Sequence, residues 1–102
     1  MTISAYDKRR GVMVTPKQIL ILRALIKRNT DGSALDVYQL IERCAPGTTR
    51  GAMICSLRHL AGHDLIAEAG KVLRGGRRRM TYVASNAGIE LMRPQTLPGA
   101  TP

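Results

Sequence analysis

A change of hydrophobic period around a paired glycine constrains this fold more than any other feature. Gly75-Gly76 stands between two β-favouring stretches, with Arg74 before it and Arg77 after it. Paired glycines supply the positive-φ positions of a tight turn, so this tetrapeptide marks a β-hairpin. The outgoing strand is expected over residues 65–73, which alternate loosely and carry Ile66, Val72 and Leu73. The return strand is expected over residues 80–84.

The chain before the hairpin has helical period instead. Thr15, Pro16 and Gln18 form an N-cap, a first-turn proline and a Thr-x-x-Gln capping box. Val14 and Ile19 are spaced as a hydrophobic staple. Ile19, Leu22, Leu25 and Ile26 then recur on one stripe of a first helix that should end near Asn29. A second helix is expected after Ser33 as cap, with Leu35, Leu40 and Ile41 on its apolar face. Cys44-Ala45-Pro46-Gly47 stops it. A third helix should start at Thr48 or Thr49 and reach about His63. Met53, Ile54, Leu57, Leu60 and Ala61 share one of its faces. Gly51, Ala52, Cys55, Ser56, Arg58, His59, Gly62 and His63 fall on the other. An ideal helix turns Arg50 toward the core side. After the hairpin, Ser85 can cap a short helix carrying Ala87, Ile89, Leu91 and Met92, which Arg93-Pro94 ends.

Charge points to the partner. Lys plus Arg is 16 against 7 acids, a formal net charge of +9 in 102 residues. Such an excess predicts attraction to polyanions. Arg outnumbers Lys heavily, and its planar fork matches phosphates and guanine edges. Lys71, Arg74, Arg77, Arg78 and Arg79 crowd the hairpin, with no acid among residues 69–89. Five cations on so small an element are costly unless something negative neutralises them. The hydrophobic fraction of 44% allows a packed core, and with no Phe or Trp that core must be aliphatic.

Three helices, a basic hairpin and a short helix resemble, in that order, the winged helix-turn-helix regulators of the MarR and PadR type. Four stretches carry the resemblance across residues 14–93. Residues 14–25 look like the first core helix of that family. Leu57-Arg58-His59-Leu60 with Leu65-Ile66 looks like a recognition helix running into the wing. Residues 75–82 look like the basic wing. Ser85-Asn86-Ala87-Gly88-Ile89-Glu90-Leu91 looks like the Thr-Pro-x-Gly-x-x-x-Leu segment after it. Asp64 departs from the pattern, since the family usually has Gly there. The family's long C-terminal dimerisation helices have no counterpart after Leu91.

The resemblance implies a mainly α fold with a small β-hairpin: a three-helix core, a two-stranded wing and a short C-terminal helix. Residues 1–13 would be a basic arm or short element, residues 14–93 the DNA-binding domain, and residues 94–102 a disordered tail. The implied function is a sequence-specific regulator of transcription on double-stranded DNA. The third helix would enter the major groove, and the wing would lie on the backbone or dip into the minor groove. The candidate contacts are Thr48, Thr49, Arg50, Ala52, Ser56, Arg58 and His59 on the helix. On the wing they are Lys71, Arg74, Arg77, Arg78 and Arg79. Lys8, Arg9 and Arg10 are candidate arm contacts. Gly51, Ala52, Cys55 and Ser56 are small enough to let a backbone approach base edges, and free amides at the helix start favour a phosphate.

Other readings stay open beside this one. The small-residue face also suits docking on a protein, such as a polymerase subunit or another regulator. Charge alone would suit an architectural or RNA-binding protein. A homodimer on a near-palindromic site is the usual arrangement for such regulators, paired through the N-terminal segment or the final helix. Cys55, His59 and His63 lie at i, i+4 and i+8, but no further ligand is placed to complete a metal site, so neither metal nor other cofactor is expected. Cys44 and Cys55 read as reduced thiols. No nucleophile motif marks an enzyme. No apolar run marks a secretory signal or a membrane span, which suggests a cytoplasmic protein of bacterial, archaeal or phage origin.

Overall fold

A computed structural model describes residues 5–7 and 12–93. The chain forms β1 (Ala5–Asp7), β2 (Val12–Val14), α1 (Pro16–Lys27), β3 (Leu35–Asp36), α2 (Val37–Cys44) and α3 (Arg50–Gly62). It continues with β4 (Ile66–Arg74), β5 (Arg77–Ala84) and α4 (Asn86–Met92). This is a winged helix, with the wing built on β4 and β5. No helix among the described residues is long and apolar enough to cross a membrane.

Each helix starts where a side-chain oxygen can accept an otherwise unpaired amide. Thr15 caps α1, its hydroxyl accepts from the Gln18 amide, and the Gln18 side chain accepts from the Thr15 amide. Thr49 caps α3 by accepting from the Ala52 amide, and Ser85 caps α4 by accepting from Gly88. The cap of α2 differs from the sequence expectation. Ser33 is committed to Asp31, to which both its amide and its hydroxyl donate. These bonds hold the Asp31 carboxyl below the usual carboxylate range. Asp36 caps α2 instead, in a full capping box with Gln39. Leu35 therefore belongs to a strand rather than to the face of α2.

The sheet has three antiparallel strands in the order β3-β5-β4. β3 pairs Leu35 with Tyr82 and Asp36 with Thr81. Two residues leave no periodicity to read, so this third strand was invisible in sequence. β5 begins at Arg77, earlier than expected, because the turn is only Gly75-Gly76. Both glycines have positive φ, 57° and 75°, the backbone of a hairpin turn matched to strand twist. The β4–β5 ladder shifts register between Glu68 and Gly70. There the buried Thr81 hydroxyl donates to the Gly70 carbonyl at 2.7 Å. At the other end of the chain, β1 and β2 pair antiparallel, Ala5 with Val14 and Asp7 with Val12. Lys8, Arg9 and Arg10, and the tail 94–102, lie outside the described residues.

The core is aliphatic. Ile21, Leu22 and Leu25 of α1 pack with Leu40, Met53, Leu57 and Leu60 of the next two helices. Val14, Leu35, Leu65 and Ile66 close the cluster. Asp64 takes φ 59°, the left-handed conformation that explains why glycine is usual there; Asp tolerates it better than most residues. Ser85 ties the same corner to α4. Its amide donates to Leu65 O at 3.0 Å and its hydroxyl to Asp64 O.

At that corner α4 crosses so close that a Cβ on Gly88 would stand 2.1 Å from the Leu65 carbonyl oxygen. Backbone, not a flexible side chain, blocks the space. Gly88→Ala is expected to cost about 3 kcal/mol, or roughly 10–20 °C of melting temperature. Thermal unfolding followed by circular dichroism measures it. A melt indistinguishable from wild type would contradict the close approach.

Candidate nucleic-acid interface

Helix α3 buries Met53, Leu57 and Leu60 and turns a face of small and polar side chains outward. Gly51, Ala52, Cys55, Arg58 and His59 are exposed, while Ser56 and Thr48 are half-buried. The hydroxyls are partly occupied. Thr49 Oγ1 accepts from the Ala52 amide, and Ser56 Oγ donates back to Ala52 O at 3.3 Å. Each keeps capacity for a further bond. Arg50 corrects the ideal-helix expectation. It is the first residue of α3 and is exposed, facing the wing rather than the core.

Arg50 meets the wing across a cleft of about 240 Å³. Its walls are Asp36, Val37 and Tyr38 from the start of α2, Arg50 and Ile54 from α3, and Arg77, Arg78, Arg79, Met80 and Tyr82 from β5. Four of the sequence-selected arginines thus converge here. The charges of Arg50 and Arg58 also act on Tyr82. Burial first, then Glu68, pushes its phenol up, and the two arginines partly oppose that shift.

The wing arginines are not equivalent. Arg77 and Arg78 are exposed beside the turn. Arg79 is half-buried and stacks on Tyr38, its guanidinium carbon 4.1 Å from the ring centroid. Its Nε is shielded and has no hydrogen-bond partner among the described residues, so the ring face is what holds that cation. Arg74 turns back into the fold. Its Nη1 donates to Asp36 Oδ2 at 2.8 Å and to Gln39 Oε1 at 2.7 Å. Its Nη2 donates to Ala34 O at 3.1 Å. The acid missing from residues 69–89 is therefore supplied by Asp36. Lys71 is exposed on β4, opposite Met80.

Tyr38, Tyr82 and Asp36 belong to this site and escaped the sequence reading. Asp36 was readable as the first residue of Asp-x-x-Gln. The two tyrosines gave no sequence signal. His59 and His63 meet edge to face, with ring centroids 4.7 Å apart. Among the described residues no three His, Cys, Asp or Glu side chains group as a metal site would require.

No family model matches the sequence, and no curated protein matches it. Solved structures do share its fold. A PadR family transcription regulator from hypervirulent Clostridium difficile R20291 superimposes with a TM-score of 0.58 at 21% identity, over 74% of this chain and 78% of its own. BpsR of Bordetella bronchiseptica, a protein whose DNA binding is regulated by 6-hydroxynicotinic acid, gives 0.58 at 16%, over 86% of this chain and 58% of its own. Bacillus subtilis PadR in complex with operator DNA gives 0.56 at 14%, over 83% of this chain and 51% of its own. This chain spans little more than half the length of the last two. At these identities what is shared is the winged-helix fold.

The two cysteines sit in contrasting places. Cys55 is exposed on the outer face of α3. Cys44 is half-buried, its Sγ donates to Leu20 O at 3.6 Å, and burial pushes its thiol up against the opposing charge of Arg43. An alkylating reagent near neutral pH should label Cys55 about tenfold faster than Cys44 or more. Peptide mass mapping over time reads the rates. Equal rates would contradict the placement of α3.

Proposed function

We propose that the protein is a transcriptional regulator that binds specific sequences in double-stranded DNA. The observation that carries this reading is the convergence of Arg50, Arg77, Arg78 and Arg79 on one cleft beside the exposed face of α3. In this reading α3 enters the major groove, where base edges present a distinct donor and acceptor pattern. Ala52, Ser56, Arg58 and His59 face the bases or their flanks. Thr48, Thr49 and Arg50 hold a phosphate at the start of the helix. Lys71, Arg77, Arg78 and Arg79 hold the backbone or the minor groove. Arg74 is left out of the contact set because both of its Nη groups are occupied within the fold.

The three structural neighbours support the reading through what they are. They are a PadR family transcription regulator, a protein with regulated DNA binding, and PadR in complex with operator DNA. The same neighbours favour a binding protein over an enzyme. In this proposal the protein acts in the cytoplasm and as a homodimer, so that two copies of α3 read two half-sites.

Salt dependence and sequence preference test the proposal together. Each phosphate neutralised contributes about 0.9 to the fall of log K with log salt. Replacing Arg77, Arg78 and Arg79 with Ala should lower that slope by about two to three. Affinity for the best fragment selected from the genome should exceed that for random duplex by roughly a thousandfold or more. Equal affinity for the two would overturn sequence-specific regulation. An unchanged slope would overturn the wing contacts.

A further inference from the structure

The most heavily bonded cation of the wing is also the one least able to reach a ligand. Arg74 immediately precedes the turn, opposite Arg77 in the ladder. Its guanidinium reaches across to the entrance of α2. It meets Asp36, whose side chain is only 3% exposed, while its own side chain is 26% exposed. Asp36 is used at both oxygens. Oδ1 accepts the Gln39 amide that starts α2, and Oδ2 accepts Arg74. Gln39 Oε1 accepts from Arg74, from the Asp36 amide and from Asn29 Nδ2. Asn29 in turn accepts from Arg43. One polar chain therefore runs from the end of α1, through both ends of α2, to the tip of the wing.

We propose that Arg74 is a positioning residue for nucleic-acid binding: its latch on Asp36 and Gln39 fixes the wing tip, and so places Arg77, Arg78 and Arg79 beside α3. This rests on the DNA-binding reading and deepens it. β5 runs past the end of its pairing with β3 at Asp36–Thr81, so residues 77–80 have only β4 as a strand neighbour. A two-stranded ribbon bends and twists easily, and bonds from its tip to the buried Asp36 carboxylate and to Gln39 Oε1 limit that freedom. The latch also accounts for a cation that contributes nothing to the exposed charge of the cleft.

Asp36→Asn tests this without removing a cation. Asn is as good an N-cap as Asp, so α2 keeps its start while the latch loses its charge. If Arg74 positions the wing, the variant binds duplex more weakly and its salt slope falls, although every arginine is still present. If Arg74 instead contacts DNA when free, releasing it raises the slope by about 0.9, and the proposal is overturned. An unchanged slope and affinity overturn it as well. Arg74→Gln is the second variant. Positioning predicts a slope loss above the roughly 0.9 that one lost phosphate contact gives, together with hydroxyl-radical protection lost under the wing and kept under α3. A loss of about 0.9 with protection intact sinks the proposal. Circular dichroism and melting curves confirm that both variants are folded before binding is read; Arg74→Lys, which keeps the charge, should recover part of the lost affinity. Wild-type protein with no salt-dependent duplex binding would instead refute the DNA-binding reading itself.

Discussion

A single buried carboxylate holds the arrangement together. Asp36 ends β3 with its backbone, and with the two oxygens of one side chain it caps α2 and anchors the wing. Its backbone is in the sheet, opposite Thr81. A charge so buried is tolerated only with a partner, and losing that partner typically costs about 3 kcal/mol or more. Arg74 is the partner. Helix α2, the third strand and the hairpin are therefore not independent choices of the chain. Each supplies a bond that the others need.

The same constraint sorts the cations. Arg74 is latched to an acid, and Arg79 lies on the Tyr38 ring, a contact typically contributing about 0.5–1 kcal/mol at such sites. Arg77 and Arg78 remain exposed, and Arg50 faces them from the start of α3. Holding some arginines fixed lets others project from a defined frame. Core and edge are linked in the same way at the other corner, where Gly88 lets α4 close on Leu65 and so fixes the base of β4.

Much of this was legible in the sequence where local chemistry decides the outcome. Thr15 with Gln18, Thr49 and Ser85 mark helix starts because their oxygens meet amides only a few residues away. Gly75-Gly76 marks the turn because few other pairs adopt two positive φ values at low cost. Helix α3 was placed to within a residue or two by Met53, Leu57 and Leu60. What escaped depends on contacts distant in sequence. Ser33 has the chemistry of a cap, but its amide and hydroxyl are both committed to Asp31, and Asp36 caps α2 instead. β3 is a strand only because β5 lies beside it. Arg74 and Arg77 are indistinguishable as letters, and the partner that separates them is 38 residues away from Arg74.

The outer face of α3 and the exposed edge of the wing form one surface, proposed above as the face that meets DNA. Titrating isotope-labelled protein with a duplex carrying its selected sequence, and following backbone amide shifts, tests it most directly. The largest shifts should fall on residues 48–59 and 71–79, with little change along α1 and α4. Shifts concentrated on α1 and α4, with α3 and the wing unmoved, would contradict the account.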